Sequence, residues 1–182
     1  MAKEPTSGPA DPAEKTTSPT EPPTSSPRAT RVETAQVVLP GLTNSHGTIF
    51  GGMLMQWIDI AGAIAAARHA QGPVVTASMD RLHFLQPVRQ GAIVVVQAQV
   101  NFAARTSMEV GVRVLVEDVQ TRQRLQATRA YLTFVAVDEV GRPRPVPELA
   151  LESDDDRRRF AAAEKRRQDR LLERRIIEHR HG

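Results

Sequence analysis

A chain of 182 residues can bury one good-sized core, and 24 Lys+Arg against 21 Asp+Glu leave a formal net charge of only +3. So small a surplus, made almost wholly of arginine, gives no reason to expect nucleic acid as a partner. The absence of cysteine excludes disulfides, thiolate metal sites and a cysteine nucleophile.

The first 31 residues hold Pro, Ser, Thr and charge, with Met1 the only large apolar side chain. A segment so poor in apolar surface cannot offset its ordering entropy, so residues 1–31 are expected to be a disordered tail. No apolar core of a secretory signal is present there, and a cytoplasmic protein is expected. Val32 to Leu39 suits a strand. Pro40-Gly41 breaks it, and Leu42 to Thr48 reads as a polar loop containing Asn44 and His46.

Gly51-Gly52 then opens a long helix that runs to about Ala70, where Gln71-Gly72-Pro73 ends it. Between Ile49 and Ala67 Asp59 is the only ionisable residue, set among small and apolar side chains on every side of a helical wheel. The pattern predicts a helix buried all round, with a carboxylate that must be paired, hydrogen-bonded or neutralised. A membrane span is the rival reading, opposed by Gln56, three glycines and a central charge costing about 2.5–3.5 kcal/mol on insertion.

Four strands are predicted next: Val74 to Met79, bending on toward Phe84, then Ala92 to Phe102, Ser107 to Val119 and Arg124 to Val137. The last three alternate apolar and polar residues across short loops, as an antiparallel meander does. Gly141 to Pro147 cannot sit inside a sheet, since its prolines lack ladder donors. From residue 151 to 182 the chain turns acidic, then arginine-rich. This reads as a charged helix, solvated or docked on another subunit, with sparse apolar positions such as Phe160, Leu171 and Ile176. The fold class is α+β: residues 32–150 form one domain, an antiparallel sheet wrapped around one long buried helix. One sheet covers only one side of such a helix, so a second subunit or sheet is expected to cover the rest.

The segments Asn44-Ser-His-Gly-Thr-Ile-Phe-Gly-Gly-Met-Leu-Met-Gln-Trp-Ile-Asp59, Val74-Val-Thr-Ala-Ser78, Phe84-Leu-Gln-Pro87, Arg105-Thr-Ser-Met-Glu-Val110 and Thr133-Phe-Val-Ala-Val-Asp138 resemble the hotdog-fold acyl-CoA thioesterases, in register over about residues 33–149. The group most similar is the cytosolic or brain-type acyl-CoA hydrolases. The resemblance implies hydrolysis of acyl-CoA to free CoA and a carboxylic acid. It also implies paired sites at a dimer interface, a trimer of such dimers as the larger assembly, and Asp59 as general base or nucleophile. Neither metal nor cofactor is expected, coenzyme A being part of the substrate.

Thioester hydrolysis needs an activated water and donors aimed where the carbonyl oxygen becomes negative. A helix N-terminus offers such donors, and glycine lets a substrate approach the backbone, which suits Gly51 and Gly52. Asp59 lies two turns further on, roughly 12 Å along the axis, too far to serve a carbonyl at its own helix mouth. An antiparallel helix from a second subunit would bring the two halves together. The resemblance adds Asn44, matching a position whose amide helps hold water or substrate. It also puts Arg105, Thr106 and Ser107 near the nucleotide, where arginine and hydroxyl donors suit phosphates. Thr76 and Ser78 alternate on one strand face, where a pantetheine arm would lie. A non-catalytic acyl-CoA sensor of the same fold is the alternative, although no DNA-binding pattern accompanies it. A dehydratase of this fold needs a histidine at the helix, and His69 and His83 fall outside the Gly51-to-Asp59 region.

Overall fold

The computed structural model describes residues 24–180, and the expectation for residues 1–23 lies outside the described residues. In chain order the elements are β1 (Thr24–Ser25), β2 (Val32–Val37), α1 (Gly51–Ala70), β3 (Val74–Met79), β4 (Ile93–Ala103), β5 (Ser107–Glu117), β6 (Arg124–Ala136), β7 (Glu148–Leu149) and α2 (Asp154–Arg180). Five strands form one sheet in the order β2-β4-β5-β6-β3, every neighbouring pair antiparallel. Alternate residues of β4, β5 and β6, such as Val96, Val112 and Phe134, turn toward α1 and join its buried face in one core. This is the hotdog arrangement that the sequence resemblance implies.

Small residues bring helix and sheet close. Ala61, Ala65 and Ala66 are fully buried, and a Cβ on Gly62 would come within 3.0 Å of the Phe134 ring. At the helix end Gly72 leaves room for the Arg144 guanidinium, which donates to the Ala70 carbonyl at 2.7 Å. Among the described residues no helix is long and apolar enough to cross a membrane.

Three expectations are corrected. Within the protomer α1 is not buried all round: Leu54, Trp57, Ile58 and Ala61 face the sheet, whereas Met55, Ile60 and Ile64 are exposed, on the side that a second subunit or sheet is expected to cover. A single curled sheet reaches only one side of the helix. Residues 24–31 are ordered, not a disordered tail. β1 pairs with β7, Ser26 caps a 3-10 turn over Pro27–Thr30, and Thr30 is buried with its hydroxyl accepting the Val100 N–H at 3.0 Å. Specific hydrogen bonds and Pro27 replace the missing apolar surface.

The third correction concerns the charged helix, whose first half docks on its own chain. Ala163 is fully buried, and the Phe160 and Phe102 rings lie 4.8 Å apart. Arg166 grips the buried Glu109 carboxylate, donating at 2.6 Å, and Arg170 bridges Glu109 and Asp80 at 2.8 and 2.7 Å. Burial pushes the Asp80 carboxyl up, against the pull of Arg170. Two of the arginines that suggested a solvated face, Arg166 and Arg170, are docking groups.

His69 is fully buried near the end of α1, its Nε2 2.9 Å from the Pro147 carbonyl. Burial holds its imidazole below the ordinary value of 6.5, with the bond to Pro147 opposing in part. The unfolded chain therefore takes up the proton first. The contribution to stability is complete above the unfolded pKa and is lost as pH falls below it toward the folded value. The urea midpoint should drop more steeply between about pH 7 and about pH 5 in the natural protein than in His69→Gln. Thr30→Val should cost about 1–2 kcal/mol by urea denaturation, because it strands the Val100 N–H.

Candidate active site

Asp59 sits on the uncovered side of α1, half-buried, one position before the exposed Ile60. Its Oδ1 accepts a 2.7 Å hydrogen bond from the Thr76 hydroxyl on β3, the strand at the sheet edge. No arginine or lysine is paired with it among the described residues. Thr76 thus fixes the carboxylate without neutralising it. A β-bulge at Ala77 follows directly. Thr76 pairs with the inward Phe134, and after the register shift Ser78 pairs with Thr133 on the other face. The bulge thereby separates Thr76 from Ser78, which a regular strand would keep on one side.

The mouth of α1 is built from the segments on either side. Phe50 donates its N–H to Leu42 and Ile49 to Val88, so both the preceding loop and the segment after β3 anchor the first turn. Phe50 provides no side-chain cap, and no acceptor among the described residues takes the Gly51 or Gly52 N–H. The Phe84 ring lies 3.6 Å from where a Gly51 Cβ would be, and a Cβ on Gly52 would come 2.6 Å from the Phe50 ring. Both rings are at least half exposed. The mouth is two unused backbone donors between two aromatic rings, eight residues from Asp59 along the helix.

Asn44 is bound within its own loop. Its Oδ1 accepts from the His46 and Thr48 N–H groups at 2.9 and 3.3 Å, and its Nδ2 donates to the Thr48 hydroxyl at 3.0 Å. These bonds hold an exposed amide in a fixed place, and Thr48 is a supporting residue that sequence reasoning did not single out. Arg105, Thr106 and Ser107 form the β4–β5 hairpin, whose main chain is pinned by Ala136 and Val146 donating to the Thr106 and Arg105 carbonyls at 3.0 Å. Arg105 is exposed and has no carboxylate partner among the described residues. Ser107 pairs with Val135 and Val135 with Val75, so the hairpin lies at the end of the sheet where β3 begins. The chain therefore joins Asp59 to Thr76, sets the hairpin two strands from the start of β3, and leaves Gly51, Gly52 and Asn44 as a second group at the other end of α1. His69 lies ten residues past Asp59, roughly 15 Å along the axis. Among the described residues no three His, Asp or Glu side chains gather where a metal ion would fit.

A family model described as the thioesterase superfamily matches residues 46–122. An uncharacterized acyl-CoA thioester hydrolase of Bacillus subtilis is 44% identical over 118 residues, 65% of this chain and 69% of that one. The chain belongs to the thioesterase superfamily. As a thioesterase-superfamily chain it spans only 19% and 32% of two longer Mus musculus relatives, acyl-coenzyme A thioesterase 11 and the cytosolic acyl coenzyme A thioester hydrolase.

Its structure superposes with a TM-score of 0.78 and 37% identity on an acyl-CoA hydrolase of Staphylococcus aureus, covering 88% of this chain and 100% of that one. That enzyme was solved with butyryl coenzyme A, coenzyme A and coenzyme A disulfide. Alanine variants of it have been solved at an asparagine, an aspartate and a threonine, spaced along its chain as Asn44, Asp59 and Thr76 are here. A hexameric acyl-CoA thioesterase gives a TM-score of 0.79 at 37% identity, covering 82% of this chain and 96% of that one.

Thr76→Val keeps the shape of the side chain and removes the one hydrogen bond that the described residues make to the Asp59 carboxylate. Thioesterase turnover should fall about tenfold in this variant while circular dichroism stays unchanged, the loss expected for one bond to a charged group. Full turnover would show that Thr76 has no part in holding the carboxylate.

Proposed function

We propose that the chain is an acyl-CoA thioester hydrolase whose site is completed by a second copy of itself. One observation carries this reading. The sole acid of α1 is held ready by Thr76 on a helix face the protomer leaves uncovered, two turns away from the free N–H groups at its own helix mouth.

In this reading the acyl carbonyl oxygen rests on the Gly51 and Gly52 N–H groups of one subunit, aided by the positive end of α1. Asp59 of the other subunit faces the carbonyl carbon. As a general base it takes a proton from water, whose oxygen attacks that carbon. The negative oxygen of the tetrahedral adduct is stabilised by the two N–H donors, and the sulfur then leaves with a proton as free coenzyme A. As a nucleophile its carboxylate attacks the carbon directly and expels the thiolate, leaving a mixed anhydride that water opens. Asn44, fixed by Thr48, is placed to hold the water or the carbonyl beside the glycines. Phe50 and Phe84 give the acyl chain an apolar entrance. Arg105, Thr106 and Ser107 hold phosphates of the nucleotide. No cofactor beyond the coenzyme A of the substrate enters either route.

A homo-oligomer follows from the same reading. Met55, Ile60 and Ile64 are exposed apolar residues on the uncovered half of α1 that also carries Asp59, and β3 is an open edge with Val75 49% exposed. A second copy across these features would cover the apolar residues and pair the edge. A trimer of such dimers is the larger assembly we propose, in a cytoplasmic setting.

Purified protein should release free thiol from acyl-CoA esters, and Asp59→Asn should lower the rate by at least roughly 100-fold without loss of fold. Undiminished activity in that variant would contradict the role of Asp59. A single turnover in ¹⁸O-water distinguishes the two routes, since only the nucleophilic one can leave label in Asp59. Light scattering should give a dimer or a multiple of it, and a monomer at full activity would contradict the shared site.

A further inference from the structure

The face of the sheet opposite α1 carries a groove of about 610 Å³ between the strands and the first half of α2. That volume lies in the range of small-molecule pockets. Its floor is Gly111, where any Cβ would come 2.3 Å from Asn101 Nδ2, so only glycine leaves the hollow open. None of the residues assigned to thioester hydrolysis lines it.

Two features of this groove have no explanation within the protomer. The first is charge. Arg113 on β5 stands directly across from Arg129 on β6, and Arg31 closes the same groove from the segment before β2. Arg113 donates to Gln97 at 2.8 Å, Arg129 to Gln126 at 3.4 Å and Arg31 to Gln99 at 3.1 Å, all amide oxygens. Among the described residues none of the three has a carboxylate partner, whereas Arg158, Arg159 and Arg166 are each paired with an acid. Glu33, the one acid lining the groove, is engaged by Gln97 and Arg124. Like charges directly opposite each other on neighbouring strands are destabilising unless an anion lies between them.

The second feature is unmet hydrogen bonding. Gln99 is 9% exposed and Asn101 4% exposed, yet Gln99 Nε2 and Asn101 Oδ1 have no partner among the described residues. Both residues line the groove. A buried polar group without a partner is uncommon, and here a donor and an acceptor stand side by side.

We propose that this groove is a second binding site, distinct from the thioesterase site, for a small polyphosphate of nucleotide size. The phosphates would lie between Arg31, Arg113 and Arg129, whose guanidinium forks suit phosphate oxygens. The attached group would take the Gln99 donor and the Asn101 acceptor. The reacting end of an acyl-CoA is not the occupant, because Asp59 lies on the other side of the sheet.

Calorimetric titration of the full chain with ADP and with pyrophosphate tests this. ADP should bind once per chain and more tightly than pyrophosphate. Arg113→Gln/Arg129→Gln should weaken both by at least about tenfold, while its thermal midpoint is unchanged or raised and thioester turnover is kept. Gln99→Ala/Asn101→Ala should weaken ADP and leave pyrophosphate as it was. ADP should bind equally well to Asp59→Asn protein saturated with butyryl coenzyme A. Absence of binding, binding that survives Arg113→Gln/Arg129→Gln, or displacement of ADP by butyryl coenzyme A would each overturn the proposal.

Discussion

A five-stranded sheet can curl around one side of a helix and no further, and most of what matters in this chain follows from that limit. α1 buries Leu54, Trp57, Ile58 and five small residues and leaves Met55, Asp59, Ile60 and Ile64 on the side the sheet cannot reach. A carboxylate on such a face is available to a partner yet shielded from bulk water once the face is covered. The Thr76 bond holds it without cancelling its charge. A lysine or arginine there would have made it a structural ion pair. The hydroxyl leaves an acceptor that can still take a proton or attack carbon.

The rest of the site is arranged by the same helix. Its first turn has two glycine N–H groups with no acceptor among the described residues, between the Phe50 and Phe84 rings. Asparagine, threonine and loop main chain fix the approach to that turn, and the β4–β5 hairpin stands at the opposite end, two strands from the start of β3. Donors and base therefore sit at a separation set by helical rise. In the proposed site a two-fold relation between copies would bring one subunit's donors to the other's base.

Much of this was legible in the sequence, because the signals were periodic. Alternation in β4, β5 and β6 and the glycine-led apolar run of α1 gave the elements nearly to the residue, and one acid in that run marked itself out. What escaped notice depended on contacts distant along the chain. That one side of α1 lacks a cover within the protomer followed from counting sheets, but the helical wheel could not show which residues stand on that side. The bulge at Ala77, which separates Ser78 from Thr76, has no local signature. The order of residues 24–31 rests on Thr30 meeting Val100, and the docking of α2 rests on Glu109, Arg166 and Arg170, far apart in sequence. Composition alone made both segments look solvated.

The division of the site between two subunits is the central claim, and complementation of two inactive proteins tests it most directly. One carries Asp59→Asn, and the other carries Gly51→Val to crowd the helix mouth. Mixed after denaturation and refolded together, they should regain roughly a quarter of the natural activity, since half the dimers are hybrids and each hybrid has one intact site of two. A mixture as inactive as its parents would contradict a shared site and return catalysis to the single chain.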